Sequence, residues 1–264
     1  MVLNLLFVMP APVAGIHVLE PIRDKDVDGR NKSGHDENWR DRARLRFVYE
    51  TAMTSSRPRP RLYLFTPQLD DPASFAADLD AALGAADIAA VLLRLADADE
   101  RSLINHAKAV ARAVQRRDVA LLIDGQPEIA ARAGADGAHL TGIEPFAAAL
   151  ALLKPDRIAG AGGLRSRHDA MLAAENGADY VMFGEPDRRG HRPAFADMED
   201  RLVWWAELLE IPCVGYAGAA DEVAKVARTG ADFVALGDWI WSDPRGAAAT
   251  VAAAAGSVAE PTAR

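Results

Sequence analysis

The chain has 264 residues, is 50% hydrophobic and 26% charged, carries a net charge of −8 and contains one cysteine. That length and apolar fraction suit one large folded domain or two small ones and exclude a disordered polymer, while a lone cysteine excludes both an intrachain disulfide scaffold and a thiolate zinc cluster. No segment approaches the ~20 apolar residues of a membrane span, and an acidic balance offers no electrostatic footprint for nucleic acid, so a cytoplasmic protein without membrane or nucleic-acid partners is expected.

The first 58 residues differ from the rest. Residues 1–19 are apolar but lack a basic leading region, and the charged stretch 24–46 follows without a small-residue cleavage site, which does not describe a signal peptide. Residues 26–37 are polar and carry no hydrophobic period, so disordered chain is expected, with a short helix at 39–49. Met53 stands just ahead of the first clear strand. Residues 1–52 are therefore expected to be translated upstream sequence ahead of the true start, the alternative being an authentic arm.

From residue 59 to 264 the chain reads as one barrel domain. Short β-branched and aliphatic runs alternate with Ala-rich amphipathic stretches, the mark of repeated βα units. Strands are expected at 62–66, 88–93, 120–123, 137–140, 158–161, 180–183, 213–216 and 233–236, with helices at 72–83, 100–115, 127–133, 145–153, 166–175, 195–209, 220–228 and 244–254. Asp221 and the prolines at 72, 127, 145 and 244 fall where first helical turns favour them. Cys213 lies in an apolar run and reads as packing.

Three helices end alike: Ala133-Gly134-Ala135-Asp136, Asn176-Gly177-Ala178-Asp179 and Thr229-Gly230-Ala231-Asp232. Glycine there can take the left-handed position that closes a helix, and the aspartate leads directly into the next strand. Eight such units with tight turns predict an α/β fold, a compact (β/α)8 barrel. A doubly wound open sheet is the alternative, but no Gly-rich dinucleotide fingerprint follows the first strand.

A barrel of this kind carries its site at the C-terminal ends of the strands. Residues there include Gln68, Arg94, Asp124, Gln126, Thr141, Glu144, Gly163, Arg165, the stretch 185–192, Ala217, Gly218, Gly237 and Asp238. Arg94, Arg165, Arg188, Arg189 and Arg192 offer bidentate partners for phosphate, although the last three also read as a solvated loop. Glycines in the last two loops leave backbone N–H groups open to a phosphate. Asp124 and Glu144, on neighbouring strand ends, suit one Mg²⁺ with water and phosphate as the other ligands. His139 reads as a packed, hydrogen-bonded core residue. Trp204, Trp205, Trp239 and Trp241 read as cover for the barrel exterior or a subunit interface.

Residues 121–140, LLIDGQPEIAARAGADGAHL, resemble the central signature of the thiamine phosphate synthase and thiazole tautomerase family; 177–186 (GADYVMFGEP), 211–218 (IPCVGYAG) and 230–238 (GADFVALGD) resemble its last three strands. The resemblance implies a small, usually homo-oligomeric (β/α)8 barrel acting on small phosphorylated substrates. In the synthase, an aminopyrimidine diphosphate loses pyrophosphate with Mg²⁺ assistance, and the thiazole phosphate nitrogen attacks the pyrimidine methylene.

Position by position, the family's Gln-x-Arg-x-Lys becomes Leu92, Arg94 and Ala96, and its Asn-Asp metal pair becomes Asp124-Gly125 with Glu144 as the second carboxylate. The serine after strand 5 falls at Gly163 and the tautomerase histidine at Arg165. The Thr-x-Thr-Lys loop reads Arg189 to Arg192. Ala217-Gly218 replaces the paired glycines that hold the thiazole phosphate, Gly237 follows strand 8, and its serine becomes Asp238, which repels phosphate unless paired. Each preorganised group is worth about 2.7–4 kcal/mol in such chemistry, so three functions stay open: a synthase whose diphosphate site is rebuilt from Arg94, Asp124, Glu144 and Arg192, with Arg94, Arg165 and Arg192 as catalytic residues; a tautomerase-like or other phosphate-ligand enzyme; and a non-catalytic phosphate-binding paralogue.

Overall fold

Short strands that are apolar on both faces can be accommodated only in a sheet covered outside and filled inside. The computed structural model describes residues 59–187 and 189–259. Strands β1 (Arg61–Leu69), β2 (Ile88–Leu95), β3 (Ala120–Asp124), β4 (Gly137–Thr141), β5 (Ile158–Gly162), β6 (Tyr180–Phe183), β7 (Cys213–Ala217) and β8 (Phe233–Leu236) close into one barrel in sequence order. Every neighbouring pair is parallel, β1 with β8 included. The helices between and after them are α1 (Pro72–Leu83), α2 (Glu100–Gln115), α3 (Pro127–Ala133), α4 (Ile143–Leu153), α5 (Arg167–Glu175), α6 (Phe195–Leu208), α7 (Ala220–Arg228) and α8 (Ala247–Ala259). This is the expected (β/α)8 barrel. The expected N-terminal arm with its helix at 39–49 and start at Met53 lies outside the described residues, as does Arg188. Among the described residues no helix is long and apolar enough to cross a membrane.

Two apolar layers result from strand alternation. On β2, Val91 and Leu93 face the helices while Ala90 and Leu92 face the barrel interior. The interior is filled by large side chains, Tyr63, Phe65, Leu122, Tyr180 and Tyr216 among them, so it is a packed core. In the outer layer Trp205 is wholly buried and donates its indole N–H to the Ile211 carbonyl at 2.7 Å; Cys213 is buried there too. Trp239 and Trp241 are clasps at the rim, donating to the carbonyls of Ala217 (3.0 Å) and Phe65 (2.6 Å).

The repeated helix ends explain how the units register. Gly134, Gly177 and Gly230 have φ of 76°, 94° and 85°, the left-handed region that turns each chain out of its helix. Each following aspartate then reaches the strand before its own. Asp136 accepts from Leu121 N at 2.8 Å, Asp179 from Ala159 N at 2.7 Å, and Asp232 from Cys213 N at 2.8 Å. A carboxylate accepting a backbone N–H makes a charge-assisted bond, and it locks β3 to β4, β5 to β6 and β7 to β8.

Three helix starts differ from the sequence reading, that of α5 by one residue because Ser166 is its N-cap. Helix α4 begins at Ile143, after Gly142 turns at φ 96°, so Pro145 lies at the third helical position; its missing N–H is still one of the four that a helix leaves unbonded. Helix α8 begins at Ala247, downstream of Pro244, because Gly246 takes φ 84° and its carbonyl accepts from Thr250 N. A 3-10 turn, Asp238–Trp241, fills the gap after β8.

Asp136→Ala is expected to lower unfolding stability by about 2–3 kcal/mol, since Leu121 N–H and the Gln115 side chain (3.1 Å) lose a charged acceptor. Gly177→Ala, where added bulk meets nothing within 4 Å, is expected to cost only the backbone strain of about 1–2 kcal/mol. Urea denaturation of both variants checks the order.

Candidate active site

The C-terminal ends of the strands open on a cavity of about 710 Å³. Extending β1 to Leu69, past a register shift after Phe65, brings Gln68 opposite Arg94 on β2. Asp124 ends β3, His139 and Thr141 lie on β4, Glu185 and Asp187 follow β6, and Asp238 follows β8; all line the cavity.

The floor is a chain of buried polar side chains. Tyr63 and Tyr180 hydroxyls lie 3.1 Å apart, and the Tyr180 hydroxyl is 2.9 Å from His139 Nδ1, with the His139 and Tyr180 rings stacked. Burial pushes the His139 pKa down to about 4, so the ring is neutral, and pushes the two phenols up. Glu185 accepts the backbone N–H of Gly163. Burial nevertheless pushes its carboxyl up to about 7, against the lowering effect of that N–H. A Cβ on Gly162 would come within 2.3 Å of Glu185 Oε1 and 2.4 Å of His139 Nε2, so the bare glycine lets the two groups stand side by side. Among the described residues, two buried side-chain polar atoms lack a partner, His139 Nε2 and Gln126 Oε1, and both residues line this cavity.

The two rim arginines inside the fold are held by carboxylates of the same chain. Arg94 donates from Nε to the Thr66 carbonyl at 2.7 Å and pairs through Nη2 with Asp238, which removes the repulsion an unpaired acid would present to phosphate. Arg192 pairs with Glu222 at 2.9 Å, donates to the Gly184 carbonyl at 3.0 Å and lies over the Tyr216 ring. Glu222 also accepts Gly218 N–H at 2.7 Å, and a Cβ on Gly218 would run into the Arg192 guanidinium.

Of the residues singled out from sequence, the cavity brings together Arg94, Asp124 and Asp238. Gly163 sits at its edge through Glu185. Glu144 is exposed in the first turn of α4, beside the lining residue Pro145. Arg165 is exposed at the start of α5, its N–H bonded to Asp169, and Arg189 is exposed in a turn held by Asp187. Ala217, Gly218, Gly237 and Arg192 form a separate group around Tyr216 and Glu222. His139 is packed and hydrogen-bonded as read from sequence, and it is also part of the cavity floor. The sequence reading assigned no role to Glu185 or Glu222. Glu185 lies two residues past β6 in the rim loops, which was the available signal; nothing in spacing reveals that it meets His139 and Gly163.

The family described as thiamine monophosphate synthase matches residues 62–240. A thiamine-phosphate synthase from Rhodospirillum centenum is 43% identical over 196 residues, covering 73% of this chain and 94% of its own. One from Hyphomonas neptunium is 38% identical over 212 residues, covering 77% and 96%. A solved thiamine phosphate pyrophosphorylase from Pyrococcus furiosus superposes with a TM-score of 0.63 at 23% identity, covering 76% and 96%.

Glu185 and His139 give opposite pH signatures. A carboxyl raised from 4.5 to about 7 contributes stability that is lost as pH rises through that window; a histidine lowered from 6.5 to about 4 contributes stability that is lost as pH falls. Relative to wild type, Glu185→Gln is therefore expected to gain stability with rising pH between these values, by up to about 1.4 kcal/mol per pH unit. Denaturation midpoints across that range check it.

Proposed function

The chain belongs to the thiamine monophosphate synthase family, and from that membership together with the rim geometry we infer that it joins an aminopyrimidine diphosphate to a thiazole phosphate. The observation that carries this reading is the cavity at the C-terminal end of the barrel, with Arg94 and Asp124 in its wall, on a scaffold matched to the family across all eight strands. In the reaction the bond from the pyrimidine methylene carbon to the diphosphate oxygen breaks, its electron pair leaves with pyrophosphate, and the thiazole nitrogen bonds to that carbon.

Negative charge grows on the leaving oxygens, so groups fixed beforehand against those oxygens lower the barrier. Arg94 suits that role. Its Nε and Nη2 are held by Thr66 and Asp238, which fixes the guanidinium plane and leaves Nη1 without a partner among the described residues. Arg165 and Arg192 are the further arginines assigned to the reaction. Gly163, Arg189, Ala217, Gly218, Gly237 and Asp238 are the phosphate contacts, with one condition: a phosphate at Gly218 N–H takes the place the Glu222 carboxylate now holds.

The oxygen donors in the cavity wall are of the kind Mg²⁺ takes. They are oxygens, from Asp124, Gln126 and Thr141, and Mg²⁺ is ordinarily held by one or two carboxylates with water and substrate phosphate supplying the rest. Among the described residues no three His, Cys, Asp or Glu side chains gather to hold an ion by themselves, in keeping with a cation completed by substrate. Asp124 and Glu144 are the proposed protein ligands, and bound Mg²⁺ supplies positive charge to the departing pyrophosphate. The same reading makes the protein a cytoplasmic homo-oligomer, which light scattering on the purified chain tests.

Incubating the chain with both substrates and Mg²⁺, and following thiamine phosphate by fluorescence after oxidation, is expected to show turnover; none at high enzyme concentration, with folding shown separately, overturns the reading. Pyrophosphate with Mg²⁺ is expected to raise the melting temperature. Arg94→Ala is expected to remove that shift and to lower kcat by about 10²-fold or more. An unchanged shift excludes Arg94 as a diphosphate contact.

A further inference from the structure

Three donors from two loops converge on a single carboxylate of the same chain. Gly218 N–H, just after β7, reaches Glu222 Oε2 at 2.7 Å. Arg192, in the loop between β6 and α6, reaches Oε2 through Nη2 at 2.9 Å and Oε1 through Nη1 at 3.3 Å. A forked guanidinium beside a backbone N–H is also what receives a phosphate. The two loops meet closely because Gly218 is bare; a Cβ there would run into the Arg192 guanidinium. The Glu222 side chain is 17% exposed, so its carboxylate fills this place mostly away from water.

Arg192 does not need Glu222 to stay where it is. Its Nε donates to the Gly184 carbonyl at 3.0 Å, its Nη2 donates to the Tyr216 carbonyl at 3.3 Å, and its guanidinium carbon lies 5.0 Å from the centre of the Tyr216 ring. With the carboxylate withdrawn, these contacts keep the fork beside Gly218 and leave hydrogens on both Nη atoms for an anion. Phosphate and carboxylate cannot share the place, since Gly218 has one N–H and two anions within reach of it repel each other. Glu222 lies in the first turn of α7 on a flexible side chain, so its carboxylate can swing out without movement of the helix.

We propose that Glu222 is an autoinhibitory occupant of the phosphate subsite formed by Gly218 N–H and Arg192, and that a phosphate monoester enters only as the carboxylate leaves. That the ester is the thiazole phosphate rests on the synthase reading; the competition rests on the shared donors. Apparent affinity at this subsite is the intrinsic affinity reduced by the fraction of molecules with Glu222 withdrawn. A ring without phosphate leaves Arg192 neutralised, whereas a phosphorylated one frees the fork for itself.

The experiment titrates inorganic phosphate into the full chain and follows the Gly218 backbone amide by heteronuclear NMR, which separates this subsite from Arg94. Glu222→Gln keeps the side-chain size and removes the charge, and is expected to bind phosphate about tenfold more tightly than wild type. Glu222→Ala is expected to shift affinity in the same direction, and the spectra show which variants are folded. Asp221→Asn removes a charge one residue away, from an exposed pair with Lys225, and is expected to leave affinity within about twofold of wild type, because water and salt screen that charge. Weaker or unchanged binding in the folded Glu222 variants overturns the proposal, as does an equal gain in Asp221→Asn or a Gly218 amide that phosphate never moves. Failure of the synthase reading shows separately, as absent turnover by wild type, since phosphate binding at Gly218 requires none.

Discussion

Everything at the rim depends on a bond at the opposite end of the barrel, where an aspartate carboxylate is buried against the N–H of the neighbouring strand. A parallel sheet closed in sequence order can slip by a residue, and a slip sends every side chain to the other face. Asp136, Asp179 and Asp232 remove that freedom by bonding Leu121, Ala159 and Cys213. The left-handed glycine two residues earlier makes the reach possible, since it ends the helix and directs the chain back beneath the barrel. With register set there, Asp124, Thr141 and Glu185 emerge at the other end on the cavity side.

Register alone does not make room for chemistry. The barrel interior is packed with Tyr63, Phe65, Tyr180 and Tyr216, and an ordinary strand residue at position 160 or 162 would collide with what lies above it. Gly160 clears the Tyr180 ring, and Gly162 clears both His139 and Glu185. Missing side chains on β5 thus convert a packed core into a polar floor. Desolvation then decides protonation: it holds His139 neutral and draws Glu185 up toward neutrality, so the floor offers hydrogen bonds more than net charge.

The charge lies higher, and it is balanced. A cluster of arginines on one rim would repel itself and be strongly hydrated; here Arg94 faces Asp238 and Arg192 faces Glu222. Such pairs fix each guanidinium in orientation, at the expense of some attraction for an incoming phosphate. The two pairs differ in consequence. Asp238 is more than half exposed on its side chain, so water screens it from the ligand, whereas Glu222 is mostly buried and occupies a backbone N–H besides. Phosphate approach is therefore freer on the Arg94 side, the side on which the cavity opens.

The fold was legible because its signals are local: alternating periods, and a helix-ending glycine followed by an aspartate, recur at fixed intervals. Four helices, at 72–83, 100–115, 127–133 and 220–228, begin and end where periodicity and capping put them. Two of the misplaced starts, at Ile143 and Ala247, follow glycines at positive φ, a choice that prolines nearby in sequence conceal. The site was legible only as a list of strand ends. Whether Arg94 faces a ligand or Asp238 is decided by a partner 144 residues away, and whether His139 is core or floor is decided by Gly162 on another strand. Each of these facts is a relation across the barrel, invisible to spacing. The resemblance located Arg94 and Asp124 because it carries three-dimensional information in aligned positions; Glu185, inside the resembling stretch 177–186, drew no role because the groups it meets, His139 and Gly163, come from other strands.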